Sequence, residues 1–190
     1  MNILLLNGSP RQGGNTQILL DHVLAGIQSS GKEAELLRLA EMRIAPCTAC
    51  GVCEQSGLCA LHDDMGVLVE KIARVRHLVI GSPMYFYGLT AQAKTFVDRC
   101  QVFWSRKYVL GQESTDTAEQ CGYFVGVGAT GGVKCFDCAR LTLRYAFDAM
   151  SRRFQDEVVV QGVDALGAVS DKPESLQAAF ALGQRIGEAS

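Results

Sequence analysis

Cys47, Cys50, Cys53 and Cys59 crowd into one short stretch, spaced Cys-x-x-Cys-x-x-Cys-x5-Cys. Three closely spaced thiolates can wrap a compact site, and a fourth, after a turn at Gly57, can close it. Four thiolates satisfy a cubane [4Fe–4S] cluster, and the run is closer to ferredoxin spacing than to the separated Cys-x-x-Cys arms typical of zinc. Zinc, a disulfide and metal-free thiols stay open as alternatives. Cys135 and Cys138 repeat the Cys-x-x-Cys spacing at a predicted helix start, where a thiol's pKa falls. A redox-active dithiol is one reading of that pair, and two unrelated helix cysteines is the plainer one. Cys100 and Cys121 lie in apolar patterns and read as core.

A second group, Asn7 to Thr16, joins an apolar run directly to a helical pattern. A helix N-terminus offers unpaired backbone N–H groups and partial positive charge, and glycines allow close approach of an anion. Ser9, Asn15 and Thr16 add neutral donors, and Arg11 adds a charged fork. Hydrogen bonds to a charged group contribute about 1.5–3 kcal/mol each, so a few can hold a monophosphate without a metal. The loop has neither the Gly-Lys-Ser/Thr of a Walker A motif nor Gly-x-Gly-x-x-Gly. Its ordinary alternative is a polar turn with Asn15 as the helix cap.

Two further segments offer surface for a flat ligand. Pro83 stiffens a strand end, after which the N–H groups of Met84, Tyr85 and Phe86 can point at one ligand edge. Gly88 permits close approach, and Tyr85, Phe86 and Tyr87 offer stacking faces, or else core or subunit contacts. Ala129, Thr130, Gly131 and Gly132 supply space and backbone donors, although Gly-Gly is also an ordinary turn. His22, His62 and His77 form no metal or triad pattern. Arg140, Arg144, Arg152 and Arg153 read as solvated faces. No Gly-x-Ser-x-Gly elbow supports hydrolysis.

These segments need a frame. Apolar patterning predicts strands over 2–6, 35–39, 77–81, 121–127 and 158–160. Helices are predicted over 15–30, 63–74, 91–103, 135–150 and 173–188, with 104–119 as a flexible loop. The alternation implies a three-layer α/β sandwich around a parallel sheet, and order 2-1-3-4-5 is one of two common solutions. Ligands then bind beyond the carboxyl ends of the strands, beside the first one. The loops after strands one, three and four are those that carry the polar segments above.

The segment Gly8-Ser9-Pro10-Arg11-x-x-Gly14-Asn15-Thr16 resembles the phosphate loop of NAD(P)H-dependent FMN reductases in the flavodoxin-like superfamily. Gly81-Ser82-Pro83-Met84-Tyr85-Phe86, with Ala91-x-x-Lys94-x-Phe96-x-Asp98-Arg99, is similar to the loop and helix after that family's third strand. The resemblance implies FMN, its phosphate at residues 9–16 and its rings against 83–88 and 129–132. It also implies a homodimer or homotetramer. The cysteine run after the second strand resembles that of iron–sulfur flavoproteins. This implies a [4Fe–4S] cluster on Cys47, Cys50, Cys53 and Cys59, passing single electrons between FMN and a partner.

The expected activity is electron transfer from a reduced nicotinamide, NADH or NADPH, or from a ferredoxin-type donor, to a small acceptor or redox protein. No catalytic side chain is assigned, because FMN carries the chemistry. The alternatives are a non-catalytic flavin/iron–sulfur carrier and a zinc- or thiol-based sensor. The 190 residues suit one flavodoxin-like domain, 1–190, with a cysteine-rich insertion at about 46–62. Hydrophobic residues at 48% and charged residues at 20% suit a globular chain. A net charge of −2 favours neither nucleic acid nor an anionic membrane. No membrane span or signal peptide is read, the cytoplasm is expected, and eight cysteines there suggest ligands, redox thiols or core.

Overall fold

The computed structural model describes residues 2–112 and 119–190. Its sheet contains β1 (Ile3–Asn7), β2 (Ala34–Arg38), β3 (His77–Pro83), β4 (Cys121–Gly128) and β5 (Arg153–Gln161). All neighbouring strands are parallel, in the order β2-β1-β3-β4-β5. This is the flavodoxin-like arrangement expected from the alternation. The helices are α1 (Asn15–Ser29), α2 (Val52–Ser56), α3 (Met65–Arg74), α4 (Ala91–Arg99), α5 (Gln101–Trp104), α6 (Asp137–Ala149) and α7 (Pro173–Glu188).

The central strands are apolar on both faces because helices cover both. Alternate residues of β1 divide between two cores: Ile3 and Leu5 face α1 and α7, while Leu4 and Leu6 face α3, α4 and α6. Helices α1 and α7 meet backbone to backbone. A Cβ on Gly183 would stand 2.0 Å from the Val23 carbonyl oxygen, and one on Gly26 would stand 2.1 Å from that of Phe180. None of the described helices is long and apolar enough to cross a membrane.

The structure corrects several local expectations. The predicted third helix breaks after Arg99, where the Cys100 N–H is shared between the Phe96 and Val97 carbonyls. Residues Ser105–Val109, expected in a loop, continue as a π-helical turn. Their polar side chains hide a tertiary anchor, since Lys107 and Tyr108 both bond Asp148 on α6. The remainder of that expected loop, 113–118, lies outside the described residues. Strand β5 begins at Arg153 rather than 158, because an edge strand pairs through its backbone and tolerates polar side chains, with Arg153 and Gln155 exposed.

Arg152 was expected on a solvated face but is buried. It donates to the carbonyls of Ile72, Val75 and Arg76, closing the C-terminal end of α3. Burial pulls its pKa down to about 10.

Candidate functional site

The loop from β1 into α1 builds a socket. Helix α1 has no side-chain cap and no acid in its first turn; Gly14 occupies the cap position. Its first internal bond runs from the Ile18 N–H to the Gly14 carbonyl at 3.1 Å. The amides of Asn15, Thr16 and Gln17 therefore lack intrahelical acceptors. The loop is fixed from within, for the Ser9 N–H donates to Asn7 Oδ1 at 2.8 Å and the Arg11 N–H to Ser9 Oγ at 3.2 Å. Thr90 Oγ1 ties it to the start of α4 through the Gly8 carbonyl at 2.6 Å.

Asn15 does not cap the helix. Its amide donates to the Ala165 carbonyl at 2.9 Å, and its Oδ1 accepts the Val169 N–H at 3.1 Å. It anchors the loop after β5, which thereby joins the site. Arg11 reaches the same loop through the Asp164 carbonyl at 2.8 Å. Ser9, Arg11, Asn15 and Thr16 meet Pro83, Met84, Tyr85 and Ala129 around one small cavity of ≈50 Å³. The socket is small and lined by both polar and apolar groups.

Outside the socket, the loops after β3 and β4 form a shelf. Tyr85 and Gly88 exchange both N–H···O bonds at 3.0 Å. Between them Phe86 and Tyr87 have φ of 50° and 64°. This is the backbone of a two-residue primed turn, a place normally taken by Asn or Gly. Left-handed geometry costs a bulky residue about 1–3 kcal/mol. It leaves Phe86 fully in water, with Tyr85 and Tyr87 partly so.

Of the three amides expected to face a ligand edge, two are used internally. The Met84 N–H donates to the Val127 carbonyl at 2.7 Å and the Tyr85 N–H to Gly88. Among the described residues only the Phe86 N–H of the three lacks a partner. A Cβ on Gly132 would stand 2.8 Å from Tyr87 Oη, so the two loops touch there. Ala129, Thr130 and Gly131 are exposed beside them. At Gly88 a side chain would meet only the Tyr85 carbonyl at 3.6 Å, so internal packing does not require glycine.

Val127, Val163 and Asp164 also line the socket but were missed in the sequence. The topology held the signal, since the carboxyl end of the fifth strand opens on the same side as the other three.

The cysteine loop encloses a separate cavity of ≈330 Å³ that Cys47, Cys50, Cys53 and Cys59 all line, together with Arg99 and Val102. Gly51 and Gly57, with φ of 74° and 70°, bend the chain on either side of the short α2. Among the described residues no three His, Cys, Asp or Glu side chains stand as ligands of a single metal ion. All eight cysteines are free. The Val52 N–H favours the Cys50 thiolate and holds its pKa below the ordinary thiol value. Ser105 Oγ donates to Cys53 Sγ at 3.3 Å.

Two acids anchor the loop's entry. The Ala45 N–H donates to Asp63 Oδ2 at 2.9 Å, and the Arg43 N–H to Asp64 Oδ2 at 2.7 Å. Cys135 is packed beneath β4, where a Cβ on Gly128 would come within 2.7 Å of its sulfur, while Cys138 faces solvent. Cys100 and Cys121 are core, and burial pushes the Cys100 thiol far up.

Comparison with known proteins bears on the family and the fold. An iron-sulfur flavoprotein of Methanocaldococcus jannaschii is 36% identical over 99 residues, covering 52% of this chain and 51% of that protein. One from Methanosarcina thermophila is 29% identical over 110 residues, 58% of each chain. The chain thus spans about half the length of the curated relatives it matches. In fold it is similar to an NAD(P)H:quinone oxidoreductase from Methanothermobacter marburgensis, with TM-score 0.78 and 17% identity over 98% of both chains. The family model described as NADPH-dependent FMN reductase matches residues 1–159, so this chain belongs to the NADPH-dependent FMN reductase family of flavodoxin-like oxidoreductases.

Proposed function

We propose that the chain, acting as one domain, binds FMN at the carboxyl end of the sheet and a [4Fe–4S] cluster in the cysteine cavity. It would carry electrons from NADH or NADPH to a small acceptor or a one-electron protein partner. The observation that carries this reading is the socket at α1, where first-turn amides without intrahelical acceptors meet the Ser9 and Thr16 hydroxyls with no acid in the turn. Such a socket suits a dianionic phosphate. When bound, FMN supplies the exchange between two-electron and one-electron carriers.

The chain's own residues do the rest. Ser9, Thr16 and the α1 amides hold the phosphate, and Arg11 stands at the rim. The Phe86 N–H offers a donor to the ring edge, and Tyr85, Phe86 and Gly88 border the ring with Ala129, Thr130, Gly131 and Gly132. No side chain is needed as acid or base.

The cysteine cavity supports the cluster by its donor set and its size. A zinc ion draws all its thiolates to about 2.3 Å from one point. A cubane is gripped at separate corners, which suits four cysteines spread around one hollow. The exposed Phe86, Val133 and Leu166 around the shelf support a second copy closing over it, in a homodimer or homotetramer.

Protein purified without air should show flavin bands together with a broad iron–sulfur shoulder. Rapid mixing with NADPH or NADH should then bleach the flavin. Bleaching by dithionite but by neither nicotinamide would leave the non-catalytic carrier. A spectrum without the shoulder, from protein free of iron and sulfide, would remove the cluster.

A further inference from the structure

The cysteine cavity has one wall that the proposed function leaves without a role. Arg99 ends α4, its side chain is about 1% exposed, and it lines the same hollow as the four cysteines. Its Nη1 donates to the Ala45 carbonyl and to Asp63 Oδ2, both at 2.7 Å, and its Nη2 to Asp63 Oδ1 at 3.0 Å. Asp63 is saturated, because its oxygens also accept the Ala45 N–H at 2.9 Å and the Met65 N–H at 3.1 Å. The Arg99 Nε is buried and has no partner.

A buried donor left unpaired costs about 1–3 kcal/mol; the Nε atoms of Arg38, Arg76 and Arg152 are in the same state, and what sets Arg99 apart is its place in the cysteine cavity. The guanidinium thus lines the hollow that Cys59 and the other three cysteines line.

A cubane held by four thiolates is a net anion and gains one more negative charge on reduction. Net charge and hydrogen bonds to sulfur are what set the potential of such a cluster. Resting on the cluster reading above, we propose that Arg99 is its positioning and charge-compensating residue. The Asp63 fork fixes the guanidinium, the Ala45 bond ties the cysteine loop to it, and Nε–H remains for a cluster or cysteine sulfur. Its charge favours the reduced state over the oxidised one. One electron enters the cluster in that step; no bond forms or breaks, and Arg99 keeps its proton.

The test compares wild type with Arg99→Gln, Arg99→Lys and Asp63→Asn. Each is purified without air, reconstituted with ferrous iron and sulfide, and assayed for iron. Cluster potential is then read by electron paramagnetic resonance during a mediated dithionite titration. Arg99→Gln should shift the one-electron equilibrium about tenfold toward the oxidised state, about 59 mV. Arg99→Lys, which keeps the charge, should stay nearer wild type, and Asp63→Asn should shift the opposite way.

An Arg99→Gln protein with full iron and an unchanged potential would overturn the proposal, leaving Arg99 a purely structural brace. Should that variant fold poorly or hold no iron, Asp63→Asn decides: a raised potential supports the proposal, and an unchanged or lowered one overturns it. Wild type that takes up no iron overturns the cluster reading and this inference together, and the iron assay reveals that before any variant is compared.

Discussion

Two aromatic residues occupy a turn that favours asparagine and glycine. At Phe86 and Tyr87 the backbone is left-handed, and among the described residues the Phe86 ring is fully exposed. Strain of this kind persists where the surroundings or a ligand use the geometry. Phe86→Asn should therefore raise the urea midpoint, by about 1 kcal/mol of stability, while weakening FMN binding. Asp63 gives a pH test of the loop anchor. Burial opposes its charge, but Arg99 and the N–H groups of Ala45 and Met65 hold its pKa below the usual carboxylate value. Its contribution is full above the unfolded value of about 3.9 and is lost as pH falls through the lower folded value. Urea midpoints measured from pH 6 down to about pH 2.5 should fall more steeply for wild type than for Asp63→Asn.

Among the elements, the α1–α7 contact is the least forgiving. With the Val23 and Phe180 carbonyls about 2 Å from the added carbons, Gly183→Ala or Gly26→Ala must push the helices apart. A loss of about 3 kcal/mol or more is expected, read as a lowered melting temperature with FMN affinity changed little. Nothing in the sequence marked these glycines, because close approach depends on how two distant helices cross. The sheet was legible, since the apolar runs of β1, β3 and β4 can be buried on both faces only in a covered parallel sheet. The first half of β5 was not, because Arg153 to Glu157 looks polar until its edge position is known. At the site, Ser9 and Thr16 lie where the loop spacing put them. Asn15 lines the socket but does not cap the helix, and the Met84 and Tyr85 amides are used internally, because their partners are backbone groups that no local pattern reveals.

The whole molecule divides its tasks across one end of the sheet. The loop after β1 forms the small socket proposed for the phosphate, the loops after β3 and β4 a shelf, and the chain after β2 a thiol-lined hollow. The chain belongs to a family of FMN reductases, and the proposed phosphate position is the socket at α1. The most direct test is calorimetric titration of flavin-free protein with FMN and with riboflavin, in wild type and in Ser9→Ala/Thr16→Ala. Several charge-assisted bonds at about 1.5–3 kcal/mol each predict FMN at least a hundredfold tighter than riboflavin. They also predict that the double variant loses most of that margin while riboflavin binding stays unchanged. Equal affinity for the two flavins, or a double variant that binds FMN as wild type does, would contradict the account.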